Sequence, residues 1–169
     1  MDAVELRAMQ APIKERYKQD PSAAVITLKA KGSTDTEGLT CKVETGRALA
    51  VAGLHPASGG SGLELCSGDM LLEALVACAG VTLKSVATAI DVPLKQGLVF
   101  AEGDLDFRGT LGVDKEAPVG FAEIRVRFEV DTSAPQDKLD LLLKLTERYC
   151  VVYQTIRNGP KVSVSMKRM

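Results

Sequence analysis

Residues 66–90 read CSGDMLLEALVACAGVTLKSVATAI, and the way this stretch distributes its apolar residues decides the fold. From about Asp69 to Ile90 it predicts one helix, roughly 30 Å long at 1.5 Å per residue. At about 100° per residue, Glu73, Ala77, Gly80, Lys84 and Asp91 fall along one stripe. Cys78 lies on nearly the opposite side, with Leu71, Leu75, Thr82, Ser85 and Ala89 as neighbours, and Leu72, Val76, Leu83, Ala87 and Ile90 fill the rest. A helix that is apolar almost all round is buried on more than one side. One sheet and one further helix hardly cover that much surface, so an intertwined homodimer is expected, each central helix wrapped by the partner. Small residues such as Ala74, Ala79, Gly80 and Ala87 let neighbouring elements approach its backbone.

Outward from this helix the pattern changes to strands. After it, Val99, Ala101, Gly103, Leu105 and Phe107 alternate with Glu102, Asp104, Asp106 and Arg108. Ile124, Val126, Phe128 and Val130 then alternate with Glu123, Arg125, Arg127 and Glu129. This period of two means a sheet with one wet face, on which the acids and arginines suit cross-strand pairs. Before the helix, AAVITLKAK (23–31) reads as a strand, and LTCKVET and RALAVA flank Thr45-Gly46 as a hairpin. A glycine-rich loop, GLHPASGGSGLELCSG, joins them to the helix. Pro135 opens a second helix with Leu139, Leu142, Leu143 and Thr146 on its buried stripe. A break near Tyr149-Cys150 leads into a short helix, VVYQTIRN, that stops at Asn158-Gly159, and VSVSM closes the chain as a strand. The N-terminal VELRAMQAPIKERY predicts a short helix interrupted near Pro12. The fold class is α+β: antiparallel strands packed on a long central helix plus a second helix, in one domain over 1–169.

Composition narrows the function. The 169 residues are 46% apolar and 25% charged with a formal net charge of −1, and the basic residues are scattered. No nucleic-acid groove or polybasic membrane patch is expected. Glu73 and Lys84 interrupt the longest apolar run, which argues against a membrane span. The charged N-terminus has no apolar centre of a secretory signal, so a cytoplasmic protein is expected. Four cysteines at 41, 66, 78 and 150 show no CxxC spacing, and His55 is the single histidine. That disfavours a zinc site and leaves free thiols as the chemistry to consider. Cys41 alternates with Leu39 and Val43 and reads as core, whereas Cys66 at the loop–helix junction is either packing or a spare thiol.

Cys78 itself admits two readings, a small buried hydrophobe or a reactive sulfur. The second needs something to stabilise a thiolate, since only a few per cent of an ordinary thiol is ionised at pH 7. Cys150, at the start of VVYQTIRN, is a candidate second thiol that the helix dipole and its unpaired N–H groups would favour as a thiolate.

Taken together, CSGDMLLEALVACAGVTLKSVA, the strands containing GDLDFRGTLGV and GFAEIRVRFEV, and LTERYCVVYQTIRNG resemble the OsmC/Ohr family of osmotically induced and organic-hydroperoxide-resistance proteins. The resemblance covers 39–169 and leaves 1–20 as a helical N-terminal extension. It implies an intertwined homodimer and a peroxidase that reduces organic hydroperoxides without a metal or flavin cofactor. Cys78 matches the peroxidatic cysteine and Cys150 the resolving one, with a dithiol reductant reopening their disulfide. It also implies an arginine, best matched by Arg47, held by a carboxylate ten residues before Cys78. That position is Gly68 here, and the adjacent Asp69 is the nearest substitute. The departure keeps an alternative in view, a ligand-binding or redox-sensing protein on the same fold.

Overall fold

A computed structural model describes residues 2–19, 31–34, 40–44, 49–112 and 114–168. The segment 20–30, which holds most of the expected first strand, and the Thr45-Gly46 turn with Arg47 lie outside the described residues.

The central helix runs over Ser67–Ala89 and is labelled α2. Its inward residues divide between two apolar clusters. Towards the C-terminal end Leu83, Val86 and Ala87 bury against Val92 and Leu142. Towards the N-terminal half Leu75 and Ala79 bury against Cys150. Two long antiparallel strands, β5 (Leu94–Leu105) and β6 (Phe121–Thr132), cover this helix. The expected alternation holds: Val99, Ala101, Ile124, Val126 and Phe128 pack on the helix, and Phe128 touches both clusters. On the wet face Asp104 stands opposite Glu123 in register, a like-charged pair that Arg125 bridges by bonding both carboxylates.

The remaining strands form a second sheet in the order β1 (Lys31–Thr34), β2 (Thr40–Glu44), β3 (Leu49–Gly53) and β4 (Leu65–Cys66). The first three are antiparallel, as the sequence predicts for the β2–β3 hairpin, and β4 joins β3 in parallel before running straight into α2. After β5 a single-turn helix, α3 (Phe107–Thr110), is capped by Asp106, whose side chain accepts from the Arg108 N–H. The second predicted helix is α4 (Gln136–Tyr149), and Pro135 is its cap. Leu142 and Thr146 are buried on its inner face, while Leu143 stays partly exposed because it faces a cavity. The short helix α5 (Val151–Asn158) ends at Gly159, where φ of 51° suits glycine.

Two expectations change. The N-terminal helix α1 (Ala3–Gln19) continues through Pro12. A reciprocal Asp2–Glu5 capping box starts it, and burial of Ala3 and Leu6 anchors its first turns. That gain outweighs the one backbone bond proline removes. The closing VSVSM stretch is not a strand: residues 159–168 carry no regular structure and Val164 is 94% exposed. Period-two alternation needs a neighbouring strand to take its backbone hydrogen bonds, and this segment pairs with none among the described residues. Among those residues α2 alone is long and apolar enough to cross a bilayer. It packs against β5, α4 and α5, and 28% of its most apolar 18 residues is buried.

Leu83 sits at the centre of the larger cluster at 3% exposure. Leu83→Ala is expected to lower the unfolding free energy by about 2–5 kcal/mol, read from urea melts followed by far-UV circular dichroism.

Candidate active site

The site is built where α4 gives way to α5. Cys150 closes one helix and opens the next: its N–H still donates to the Thr146 carbonyl at 3.0 Å, and its own carbonyl accepts from Gln154 N–H at 2.9 Å. Between them its backbone is extended, with φ of −73° and ψ of 107°. That one non-helical residue turns the chain, and the Gln154 side chain fixes the new direction by donating to the Glu147 carbonyl at 2.7 Å. The first N–H groups of a helix have no partner within it. Here those of Val151 and Val152 are directed at the sulfur of Cys78 on α2.

The two sequence-predicted cysteines therefore meet. Cys78 is half-buried and Cys150 fully buried at 1% exposure, both as free thiols, with Cys78 packed against the cluster that contains Cys150. Burial by itself would push the Cys78 thiol up. The Val152 N–H, the Cys150 thiol, the Val151 N–H and the Thr82 hydroxyl outweigh it and bring Cys78 below the ordinary thiol range. Thr82 lies one turn beyond Cys78, and its hydroxyl also donates to the Cys78 carbonyl at 2.8 Å. Cys150 goes the other way. Burial is the main cause, and the adjacent Cys78 adds to it, while the N–H groups of Tyr153 and Val152 offset only part. The expectation that the start of α5 favours a Cys150 thiolate is thus corrected: the Tyr153 and Val152 amides do favour it, but burial and the adjacent Cys78 outweigh them. The arrangement lowers the Cys78 thiol and raises that of Cys150.

An apolar cavity of about 250 Å³ opens beside the pair. Leu75, Ala79, Val126 and Phe128 form its greasy wall, and Cys150 and Tyr153 border it. The cavity reaches Cys150 directly, and it reaches Cys78 only through the adjacent Ala79.

The other sequence-predicted residues are placed elsewhere. Arg47 is outside the described residues. Asp69 is exposed in the first turn of α2, nine residues and therefore about 13 Å along the helix axis from Cys78. It lines a separate cavity of about 330 Å³ together with His55, Cys66 and Gly68. His55 stacks on Phe107 with ring centroids 4.9 Å apart, and its Nδ1 accepts from the Ala57 N–H. Among the described residues the groups lowering Cys78 are dipoles and hydrogen-bond donors, with no cation among them. The described residues also contain no cluster of three or more His, Cys, Asp or Glu side chains arranged for a metal ion. Sequence reasoning assigned the unpaired amides at the start of α5 to Cys150 and missed that those of Val151 and Val152 also favour a Cys78 thiolate. It placed Thr82 on the face of Cys78 without assigning it a task.

Comparison with known proteins gives the family and the fold. Residues 59–165 match the family model described as OsmC-like protein, and the chain belongs to that family. No curated protein matches the sequence. The fold is similar to an OsmC-like protein from Mycoplasma pneumoniae at 14% identity, with a TM-score of 0.65 over 79% of this chain and 89% of that one. It is also similar to an organic hydroperoxide resistance protein OsmC from Legionella pneumophila (17% identity, TM-score 0.59, 80% and 92% covered). A third similar structure is an organic hydroperoxide resistance protein from Elizabethkingia anophelis, with crystallant-derived thiocyanate bound (14% identity, TM-score 0.62, 80% and 91% covered).

The opposed environments of the two thiols give a direct prediction. In a pH series of iodoacetamide labelling read by peptide mapping, Cys78 is expected to react with a midpoint below the ordinary thiol value, with Cys150 unmodified in the folded protein. Thr82→Val is expected to raise that midpoint, since it removes one of the four donors.

Proposed function

We propose that this protein is a cysteine-based peroxidase that reduces organic hydroperoxides. The observation that carries the reading is the contact between the lowered thiol of Cys78 and the raised, buried thiol of Cys150, at the edge of an apolar cavity. The Cys78 thiolate attacks the terminal oxygen of the hydroperoxide. The O–O bond breaks, a Cys78 sulfenic acid forms, and the alkoxide leaves as an alcohol once protonated. The Cys150 sulfur then displaces hydroxide from that sulfenic acid, giving a Cys78–Cys150 disulfide and, with a proton, water. A dithiol reductant reopens the disulfide by thiol exchange. The sulfurs are already neighbours, so the resolving step needs little rearrangement of α2 or α5.

The apolar cavity supports organic over inorganic peroxide, because a greasy substituent gains about 25 cal/mol for each Å² it removes from water. Second-copy association is part of the same proposal. Val81 on α2 and Val151 at the start of α5 are each 70% exposed, apolar surface that a partner chain would cover. Cytoplasmic placement fits a mechanism that needs reduced thiols.

Cys78→Ser is expected to abolish peroxide-dependent turnover of a dithiol, whereas Cys150→Ser should consume one equivalent of hydroperoxide and stop. Steady turnover in the Cys78 variant would refute the assignment. Oxidation of wild-type Cys78 that is reversible but does not turn over would instead favour redox sensing. Sedimentation velocity is expected to give a dimer for the full chain.

A further inference from the structure

We propose that Cys150 is also the proton donor of the peroxide step, protonating the leaving alkoxide and thereby becoming the thiolate that resolves the sulfenic acid. This rests on the hydroperoxide reading above. An alkoxide is a poor leaving group, its alcohol being about as weak an acid as water. Cleavage of the O–O bond therefore gains from a positioned acid, typically by about 10²–10⁴-fold.

Few groups at the Cys78 sulfur can supply that proton. Those in hydrogen-bonding reach among the described residues are the Val151 and Val152 amides, the Thr82 hydroxyl and the Cys150 thiol. Amides hold their protons. The Thr82 hydroxyl, as an alcohol, is no stronger an acid than the product it would form. A thiol, with an ordinary pKa of about 8.5, is stronger by several units, so transfer from Cys150 runs downhill. Cys150 is also 1% exposed, which keeps the proton on sulfur until the alkoxide appears.

The cavity sets the orientation. It is walled by Leu75, Val126 and Phe128 and bordered by Cys150, with Glu147 and Tyr153 also on its rim, and it lies on the Cys150 side of the sulfur pair. With the organic group buried there, the oxygen bonded to carbon lies over Cys150 and the terminal oxygen faces Cys78. The step balances: Cys78 thiolate, Cys150 thiol and hydroperoxide give Cys78 sulfenic acid, alcohol and Cys150 thiolate. The peroxide is reduced and Cys78 oxidised by two electrons, and the proton passes from Cys150 to the alkoxide. The Cys150 thiolate then forms the disulfide and releases hydroxide.

The test compares two oxidants with different leaving groups in single-turnover kinetics of Cys78 oxidation, read by stopped flow and sulfenic-acid trapping. Peracetic acid releases acetate, a carboxylate that needs no proton to leave, while tert-butyl hydroperoxide releases an alkoxide. Cys150→Ala removes both the acid and one hydrogen bond to Cys78, and the lost hydrogen bond slows both oxidants alike. The ratio of the tert-butyl hydroperoxide rate to the peracetic acid rate is expected to fall about 100-fold or more. Cys150→Ser keeps the volume but presents an alcohol, and it should show a comparably lowered ratio. An unchanged ratio in the folded variants, with Cys78 still oxidised by both reagents, overturns the proton-donor role and leaves the peroxidase reading standing. Failure of both reagents to oxidise Cys78 in the wild-type protein overturns the peroxidase reading and this role together.

Discussion

The site depends on one backbone event, the extended conformation of Cys150 between two helices. Had residues 136–158 continued as one helix, the amides of Val151 and Val152 would have bonded the carbonyls of the preceding turn and been lost to any other acceptor. The break releases them, and the packing of Leu75 and Ala79 against Cys150 holds the new helix start against α2. The same residue thus ends α4, starts α5, seals the smaller apolar cluster and supplies the second thiol.

This constraint changes how the reactive sulfur is stabilised. A fixed amide dipole costs no side-chain entropy and is carried by the helix, whereas an arginine must be held in place by a partner of its own. Among the described residues, the groups that favour the Cys78 thiolate are two amides, a thiol and a hydroxyl. None brings a full charge into the apolar cluster, which limits the desolvation cost that accompanies buried ions. Gly68, at the position where the resemblance implies a carboxylate, leaves this amide-based stabilisation untouched. Opposite tendencies in adjacent thiols follow from the same packing, since a second negative charge beside Cys78 is disfavoured by both burial and repulsion.

Much of this was legible in the sequence, for reasons that can be named. The uniform apolarity of 66–90 marks a core helix whatever packs on it, and the strict alternation in 98–108 and 121–130 marks a two-faced sheet. Those patterns also bring Cys78 and Cys150 into matching elements. What was not legible depends on backbone direction or on tertiary partners. Side-chain periodicity is silent on where an amide points, so the effect of the Val151 and Val152 amides on Cys78 went unseen and Cys150 was expected to profit from them. Pro12 was read as an interruption because propensity ignores the capping box and the buried first turns that carry α1 across it. VSVSM has the period of a strand, but a strand exists only where a neighbouring edge accepts it.

The placement of the cavity gives the pair its asymmetry. Two neighbouring thiols with equivalent surroundings could exchange roles, and either could meet an oxidant first. Here the polar donors gather on Cys78, whereas Leu75, Val126 and Phe128 gather on the side of Cys150. An amphipathic oxidant, with a greasy group at one end and a terminal oxygen at the other, matches that division in only one orientation. On the proposed hydroperoxide reading, Cys78 meets the terminal oxygen and Cys150 sits beneath the rest. The order of the two chemical steps is then set by the packing of α5 on α2, through the single residue at which the chain turns.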